Sequence, residues 1–451
     1  MIVSIVVRGQ ACVTGRSPSK SCPGGLPWSG MISSSRAGAV LDALPSVRSG
    51  LEDFYRDLHA HPELSHQEHA TANKVASRLR DTGYEVHEGI GGTGVVGILR
   101  NGHGPTVLLR ADMDALPVAE ATGLPYASTV RTVDGDGNDV PVMHACGHDV
   151  HVTALLGAAD LLRQGSHHWQ GTLVTLFQQA EETGDGARAM VDDGLAELLP
   201  GVDVALAQHV LPAPAGDVGT RSGAVLSAAD SMRITVYGRG AHGSMPQAAV
   251  DPVVLAAMII VRLQTVVSRE TAPGESAVLT VGSVHAGSKG NVIPDSAVLQ
   301  LNMRTYDEGT RETMLRAIRR IVIAECQASD SPIEPEFELY ERFPLTRNDG
   351  EVTARVAVAF AEHFGDRYRE LPRQTASEDF SDIPNALGVP YTYWGIGGID
   401  PSAYRNAVER GRVAQDIPVN HSPAFAPVVQ PTLDTGVEAL VVAALAWLTE
   451  H

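Results

Sequence analysis

Metal-binding side chains stand far apart along this chain, and any fold it adopts must bring them together. The densest string runs from Met143 to His151 and holds Cys146, the imidazoles of His144, His148 and His151, and Asp149. Glu181-Glu182, His209 and, much later, His421 complete the set. Thiolate, imidazole and carboxylate together form a donor set for zinc-type ions. A structural zinc site shows closely spaced ligand pairs, and no second cysteine lies near Cys146. The pattern predicts a catalytic metal centre assembled by folding. A buried structural cysteine beside satisfied histidines is the plainer alternative, and it suits a lone Cys better than this set.

Apolar runs lead to these residues. Val95 to Leu99 and Thr106 to Arg110 read as strands, the second delivering Asp112 and Asp114 at its C-terminal end. Leu173 to Phe177 is a buried strand running out into Glu181-Glu182, and Val204 to Ala207 is one that ends at His209. Residues 147–163 read as a helix with Val152, Leu155, Leu156 and Ala159 on one face. Strands that each deliver a polar residue at the tip predict a parallel-rich α/β sheet with a site along one edge. Upstream, helices are predicted from Val47 through Leu58 and from Glu68 to Leu79, the latter stopped by Thr82-Gly83.

Composition changes near Ser227. Strand, helix, two strands, helix and strand follow over 232–340, a β-α-β-β-α-β order of the ferredoxin-like kind. The first domain then resumes, because His421 must return to the metal, and it closes with a helix over 432–449. The expected organisation is a disordered Ser/Gly/Pro-rich leader at 1–45, a discontinuous catalytic domain at 46–226 and 341–451, and an inserted domain at 227–340.

Charge and cysteine usage narrow the partners. A formal net charge of −19 excludes nucleic acid, whose phosphates demand a basic face, and offers no polybasic membrane patch. No stretch approaches the ~20 apolar residues that span a bilayer. Four scattered cysteines do not make a disulfide framework, so a reducing cytoplasm is the expected compartment.

The individual residues suggest chemistry. Cys146 sits where a loop enters a helix, whose N-terminus predicts a depressed thiol pKa. Glu181 and Glu182 leave a strand in different directions, so one can ligate while the other faces the substrate, and spacing does not say which. His151 reads equally as a group supporting the ligands or as a helix-face histidine. Asp112 and Asp114 either orient imidazole ligands or cap the strand. The glycine-rich stretch from Gly238 to Pro246 lacks the strand-to-helix fingerprint of a dinucleotide loop, and His242 within it reads alone as a surface histidine. Asn291 to Asp295 looks like an ordinary turn, and Ser377 to Phe380 like a helix cap.

Taken together, the strings Arg110–Pro117, Met143–Asp149, Phe177–Glu182, Gly240–Pro246, Asn291–Asp295, Ser377–Phe380 and His421–Pro423 run in one order. In that order the chain resembles the dinuclear-metal amidohydrolases that include hippurate hydrolases, aminoacylase-type enzymes and indole-acetyl-amino-acid hydrolases. The resemblance covers about residues 48–449, and the Cys146–Asp149 string with the Glu pair is its most specific part. It implies an α/β, zinc-exopeptidase-like catalytic domain with a mixed sheet covered by helices, and a ferredoxin-like lid that also makes a homodimer. It implies that Cys146, His148, Glu182, His209 and His421 hold two divalent metal ions, Mn or Zn, with Co or Ni as alternatives. Glu181 becomes the general base and Asp114 joins the catalytic set. His242 reaches the scissile carbonyl, in one arrangement from a partner subunit, and Asn291 helps hold the substrate.

The implied reaction is hydrolysis of N-acetyl, N-benzoyl or indole-acetyl amino acids to a carboxylate and a free amino acid. A dipeptidase or an N-acetyl-diamino-acid deacetylase shares the chemistry. A non-catalytic metal-binding module is the alternative of another class, and intact Glu181, Glu182 and His242 speak against it. Gln179 stands where the family usually has Pro, and Gln247 where a second His often follows; neither is a proposed ligand.

Overall fold

Residues 34–449 are described in the computed structural model. The chain enters through α1 (Ser34–Leu41) and α2 (Leu44–Ala60), and α2 buries Leu44, Leu51, Tyr55 and Leu58 along one stripe. The leader expected through residue 45 is therefore corrected at its end. From residue 34 the chain is helical, and Ala37, Val40 and Leu44 are buried, so a few apolar side chains outweigh the Ser-rich composition. The rest of that leader, residues 1–33, lies outside the described residues.

After α3 (His69–Asp81) come β1 (Glu85–Ile90), β2 (Gly94–Asn101) and β3 (Thr106–Asp112). Next follow α4 (His148–Gln164), β4 (Gly171–Gln178), β5 (Val204–Pro214) and β6 (Val218–Thr220). A second group consists of β7 (Ala228–Tyr237), α5 (Pro252–Thr265), β8 (Ala277–Ala286), β9 (Ser296–Thr305), α6 (Glu308–Ala328) and β10 (Glu336–Phe343). The chain closes with α7 (Gly350–Phe364), β11 (Tyr368–Glu370), β12 (Tyr391–Ile399) and α8 (Val429–Leu445).

The large mixed sheet has the order β1-β2-β4-β3-β5-β12-β6-β11. Its four central strands, β4, β3, β5 and β12, are parallel, and antiparallel strands flank them. Successive residues of β3 divide between two cores. Val107, Leu109 and Ala111 join the core that holds α2, α4 and α8, while Leu108 joins the core of the opposite face. Both faces are covered, which is why the central strands read as nearly continuous apolar runs.

No strand was expected at 391–399, yet β12 lies in the middle of the sheet with every residue buried. Gly395, Gly397 and Gly398 interrupt the apolar pattern that would have announced it. Those glycines are required by close approach: a Cβ on Gly397 would fall 1.9 Å from the Pro214 carbonyl oxygen of β5.

The second sheet has the order β8-β9-β7-β10, antiparallel throughout. β9 alternates buried and half-buried residues, and its inward side chains pack with α5 and α6 into a separate core. The segment Pro252–Glu270 is long and apolar enough to cross a membrane by length and composition, which the expectation of no such stretch did not register. Its Leu255, Ala256, Ile259 and Leu263 face that core.

Candidate metal centre

Three neighbouring parallel strands bring polar side chains to one place: β3 ends in Asp112, β4 runs out toward Glu181-Glu182, and β5 carries His209 within the strand. β5 runs on to Pro214 instead of ending at His209 as expected. α4 begins at His148 after Gly147, whose φ of 84° opens the turn and whose missing Cβ leaves room for Val210. His421 arrives from the C-terminal segment, its amide donating to the Ala145 carbonyl at 2.8 Å. Beside it, the Asn420 side-chain amide donates to the carbonyls of Cys146 and Val210, both at 3.2 Å.

All five expected ligands meet there. Cys146 Sγ lies 3.4 Å from His209 Nε2, and Glu182 Oε2 lies 3.3 Å from His421 Nε2. His148 Nε2 is 3.8 Å from both Glu181 Oε2 and Glu182 Oε1. The donor atoms fall into compact triples within 4.8 Å: Cys146 with His148 and His209, Cys146 with Glu182 and His421, and His148 with both glutamates. Cys146, His148 and Glu182 each belong to two of these triples, so the three groups form one connected donor cluster. His148 Nε2 and Glu182 Oε1 are buried without a hydrogen-bond partner. An orphaned imidazole nitrogen facing an orphaned carboxylate oxygen costs free energy unless a cation sits between them, so the residues fit divalent metal.

Backbone and carboxylate contacts fix the ring orientations. His148 Nδ1 donates to the Asp114 carbonyl at 2.9 Å, and His209 Nδ1 to the Val210 carbonyl at 2.8 Å, which leaves both Nε2 atoms facing the cluster. Asp112, His148 and His151 also converge. However, His151 Nε2 accepts from the Val210 amide at 2.8 Å while Nδ1 donates to Asp112 at 2.6 Å. With both nitrogens engaged, His151 supports the site and is not free to ligate.

Electrostatics departs from expectation at Cys146. Burial, and then the Glu182 carboxylate, push its thiol pKa up, against the depression predicted from the helix terminus. Dehydration of the thiolate outweighs a terminal dipole, so a bound cation must favour the thiolate. Burial, then Glu378 and Glu182, hold the Glu181 carboxyl well above the usual carboxylate range. His421 is pushed up to about 10 by its contacts with Cys146 and Glu182.

A buried ion network that the sequence reading missed flanks the cluster. Arg110 is fully enclosed and donates to Asp112 at 2.7 Å, to Glu378 at 2.8 Å and to Gln178 at 2.9 Å. Tyr393 of β12 donates to Glu378 at 2.7 Å, and Gln178 to Asp379 at 2.7 Å. The reading of Ser377 to Phe380 as a helix cap is corrected: the next helix begins at Asp382 without a side-chain cap, and Glu378 and Asp379 are buried partners of Arg110. One signal was available, since an arginine inside an otherwise apolar strand needs a buried acid.

A cleft of about 670 Å³ opens on the cluster, with Cys146, Glu181, Glu182, His209 and His421 in its wall together with Arg304, Leu226 and Phe343. His242 and Asn291 are not among the described residues lining it. They lie instead on an exposed two-stranded turn, where His242 pairs with Val292 and the Gly243 amide donates to the Asn291 carbonyl at 2.7 Å.

Residues 108–411 match the family described as Peptidase family M20/M25/M40. The chain is 40% identical over 345 residues to a hippurate hydrolase of Campylobacter jejuni, covering 76% of this chain and 86% of that protein. It is 35% identical over 357 residues to an N-acetyl-L-cysteine deacetylase of Bacillus subtilis, covering 79% and 82%. Its fold also resembles the crystal structure of a dinuclear metal-binding M20-family peptidase of Bacillus subtilis. That match has a TM-score of 0.71 and 28% identity over 89% of this chain and 98% of the other.

Proposed function

The chain belongs to the M20/M25/M40 peptidase family, and we propose that it is a metal-dependent amidohydrolase of N-acyl amino acids, releasing a carboxylate and a free amino acid. The observation that carries this reading is the convergence of Cys146, His148, Glu182, His209 and His421 beside Glu181, with all of them but the buried His148 in the wall of one cleft.

The five converging side chains are suited to hold two divalent ions, with Mn or Zn as the first choices. When bound, such ions supply Lewis acidity that polarises an amide carbonyl and acidifies water. Glu181 does not complete the ligand set; it takes the proton of the attacking water and returns it to the departing amine. Asp114 holds His148 in its ligating orientation. The exposure of His242 and Asn291 on one two-stranded turn suits residues that serve the cleft of a second subunit, across a homodimer built on the β7–β10 unit. That unit, ferredoxin-like in its connectivity, acts as the lid. A reducing cytoplasm suits a thiol ligand such as Cys146.

The test is amino-acid release from a panel of N-acetyl, N-benzoyl and indole-acetyl amino acids and dipeptides, comparing apo protein with protein refilled with Mn or Zn. Metal-dependent release is expected, and the fastest acyl group names the substrate. Fastest turnover of dipeptides makes the protein a dipeptidase. Silence with two metals bound reduces the claim to metal binding.

A further inference from the structure

Four non-glycine residues among the described ones have positive φ, and two of them, His66 at 65° and Ala180 at 52°, flank one carboxylate. Ala180 immediately precedes Glu181-Glu182, and its left-handed turn sets the direction in which Glu181 leaves β4. A residue with a Cβ resists that conformation unless its surroundings enforce it. Ala180 is wholly buried, so water cannot satisfy its amide.

The enforcing group is Glu68, itself fully buried. Its Oε1 accepts from the Ala180 amide at 2.9 Å and from the His66 amide at 3.0 Å, while Oε2 accepts from Thr93 Oγ1 at 2.7 Å. The same short segment grips the loop twice more. Ser65 donates to Asp114 at 2.6 Å, on the carboxylate oxygen that also accepts from the Glu182 amide at 2.9 Å. The His66 ring meets Asp185 at 3.0 Å. Residues 65–68 thus hold the loop at Ala180, Glu182 and Asp185, without touching the cleft.

We propose that Glu68 is a positioning residue for Glu181: its carboxylate locks the left-handed turn at Ala180 that aims Glu181 into the cleft. The proposal rests on Glu181 being the general base. A misplacement of about 1 Å at a reacting group costs on the order of 100-fold in rate.

Glu68→Ala is expected to lower kcat about 100-fold with KM within about threefold of wild type and with metal content by elemental analysis unchanged. Glu68→Gln is expected to restore most of the rate, because its amide oxygen still accepts from both backbone amides. Replacing Ala180 by Gly in the Glu68→Ala background is expected to recover part of it, because glycine takes positive φ freely. Should Glu68→Ala fail to fold, Glu68→Asp retracts the carboxylate from Ala180 and makes the same test. Hydrogen exchange over residues 179–186 is measured in parallel without substrate, and is expected to quicken in the alanine variant and not in the glutamine one. Unchanged exchange, or activity lost only in step with metal or folded protein, overturns the proposal. So does a glutamine variant as slow as the alanine one. If wild-type protein shows no turnover, the general-base reading fails on its own account, and the exchange measurement still decides whether the clamp exists.

Discussion

The two sheets of this protein treat charge and apolar surface in opposite ways. Beneath the cleft, the large sheet and its helices bury His59, Glu68, Arg110, Asp112, Asp114, His148, Asp149, Glu181, Glu378 and Asp379. The small sheet buries the ion pair Arg311–Asp230 and otherwise keeps its charges outside. Outside its core, part of its apolar surface does the reverse: Val254, Met258 and Val261 form a stripe along α5 that is exposed by 59%, 53% and 68%. Charge is buried where donors must be held rigid, and apolar surface is left open where another surface can cover it.

The contrast breaks most sharply at Glu181. Glu181→Gln is expected to keep both metals and lose at least about 1,000-fold in kcat, read by single-turnover assay and elemental analysis; unchanged turnover removes Glu181 from the base role. Next comes the ion network. Arg110→Met leaves Asp112, Glu378 and Asp379 without their shared cation, and about 3–5 kcal/mol of stability should disappear in urea titration. Arg311→Met in the small sheet strands one buried carboxylate and should cost less; equal losses would mean that the burial of charge does not distinguish the two regions.

A third effect depends on pH. Burial alone would depress His59, but hydrogen bonds to Asp149 at 2.7 Å and Glu120 at 3.1 Å win and raise it from 6.5 to about 10. The folded-state pKa exceeds the unfolded one, so the stabilisation is fully present below pH 6.5 and is lost as pH rises through about 10. The stability gap between wild type and His59→Gln should therefore be flat from about pH 5 to 6.5 and shrink above it. A gap that widens with pH would show that His59 is buried neutral.

The smallest change in stability belongs to the stripe on α5. Val261→Glu should alter stability by less than about 0.5 kcal/mol, since the side chain already faces solvent, yet shift the sedimentation of the proposed homodimer toward monomer. An unaltered oligomeric state would leave that face without a partner.

The elements legible in advance were those whose apolar period is unbroken. β3, β4 and α4 lie within a few residues of their expected spans, because long aliphatic runs with polar ends carry their own signal, whereas β5 starts where expected and runs on to Pro214, past its polar residue His209. β12 was not legible, since three glycines erase its pattern and the reason for them lies on a neighbouring strand. α1 was hidden by a serine-rich composition that its packing overrides.

At the candidate site the same division holds. Cys146, His148, the pair Glu181-Glu182, His209 and His421 were legible as candidate donors because zinc-type ions select few residue types, while the choice of Glu182 over Glu181 came only from the family resemblance. His59, Glu68, Arg110 and Glu378 were not, because a buried charge is recognisable only beside the partners that neutralise it or share its hydrogen bonds. By itself the sequence determined the α/β architecture and the candidate donor residues, which depend on local pattern and residue chemistry. The tertiary structure alone decided which imidazole nitrogens face the cluster, why His151 is excluded from it, and how the loop bearing Glu181 is held. Each of those depends on distances between residues that the linear order does not relate.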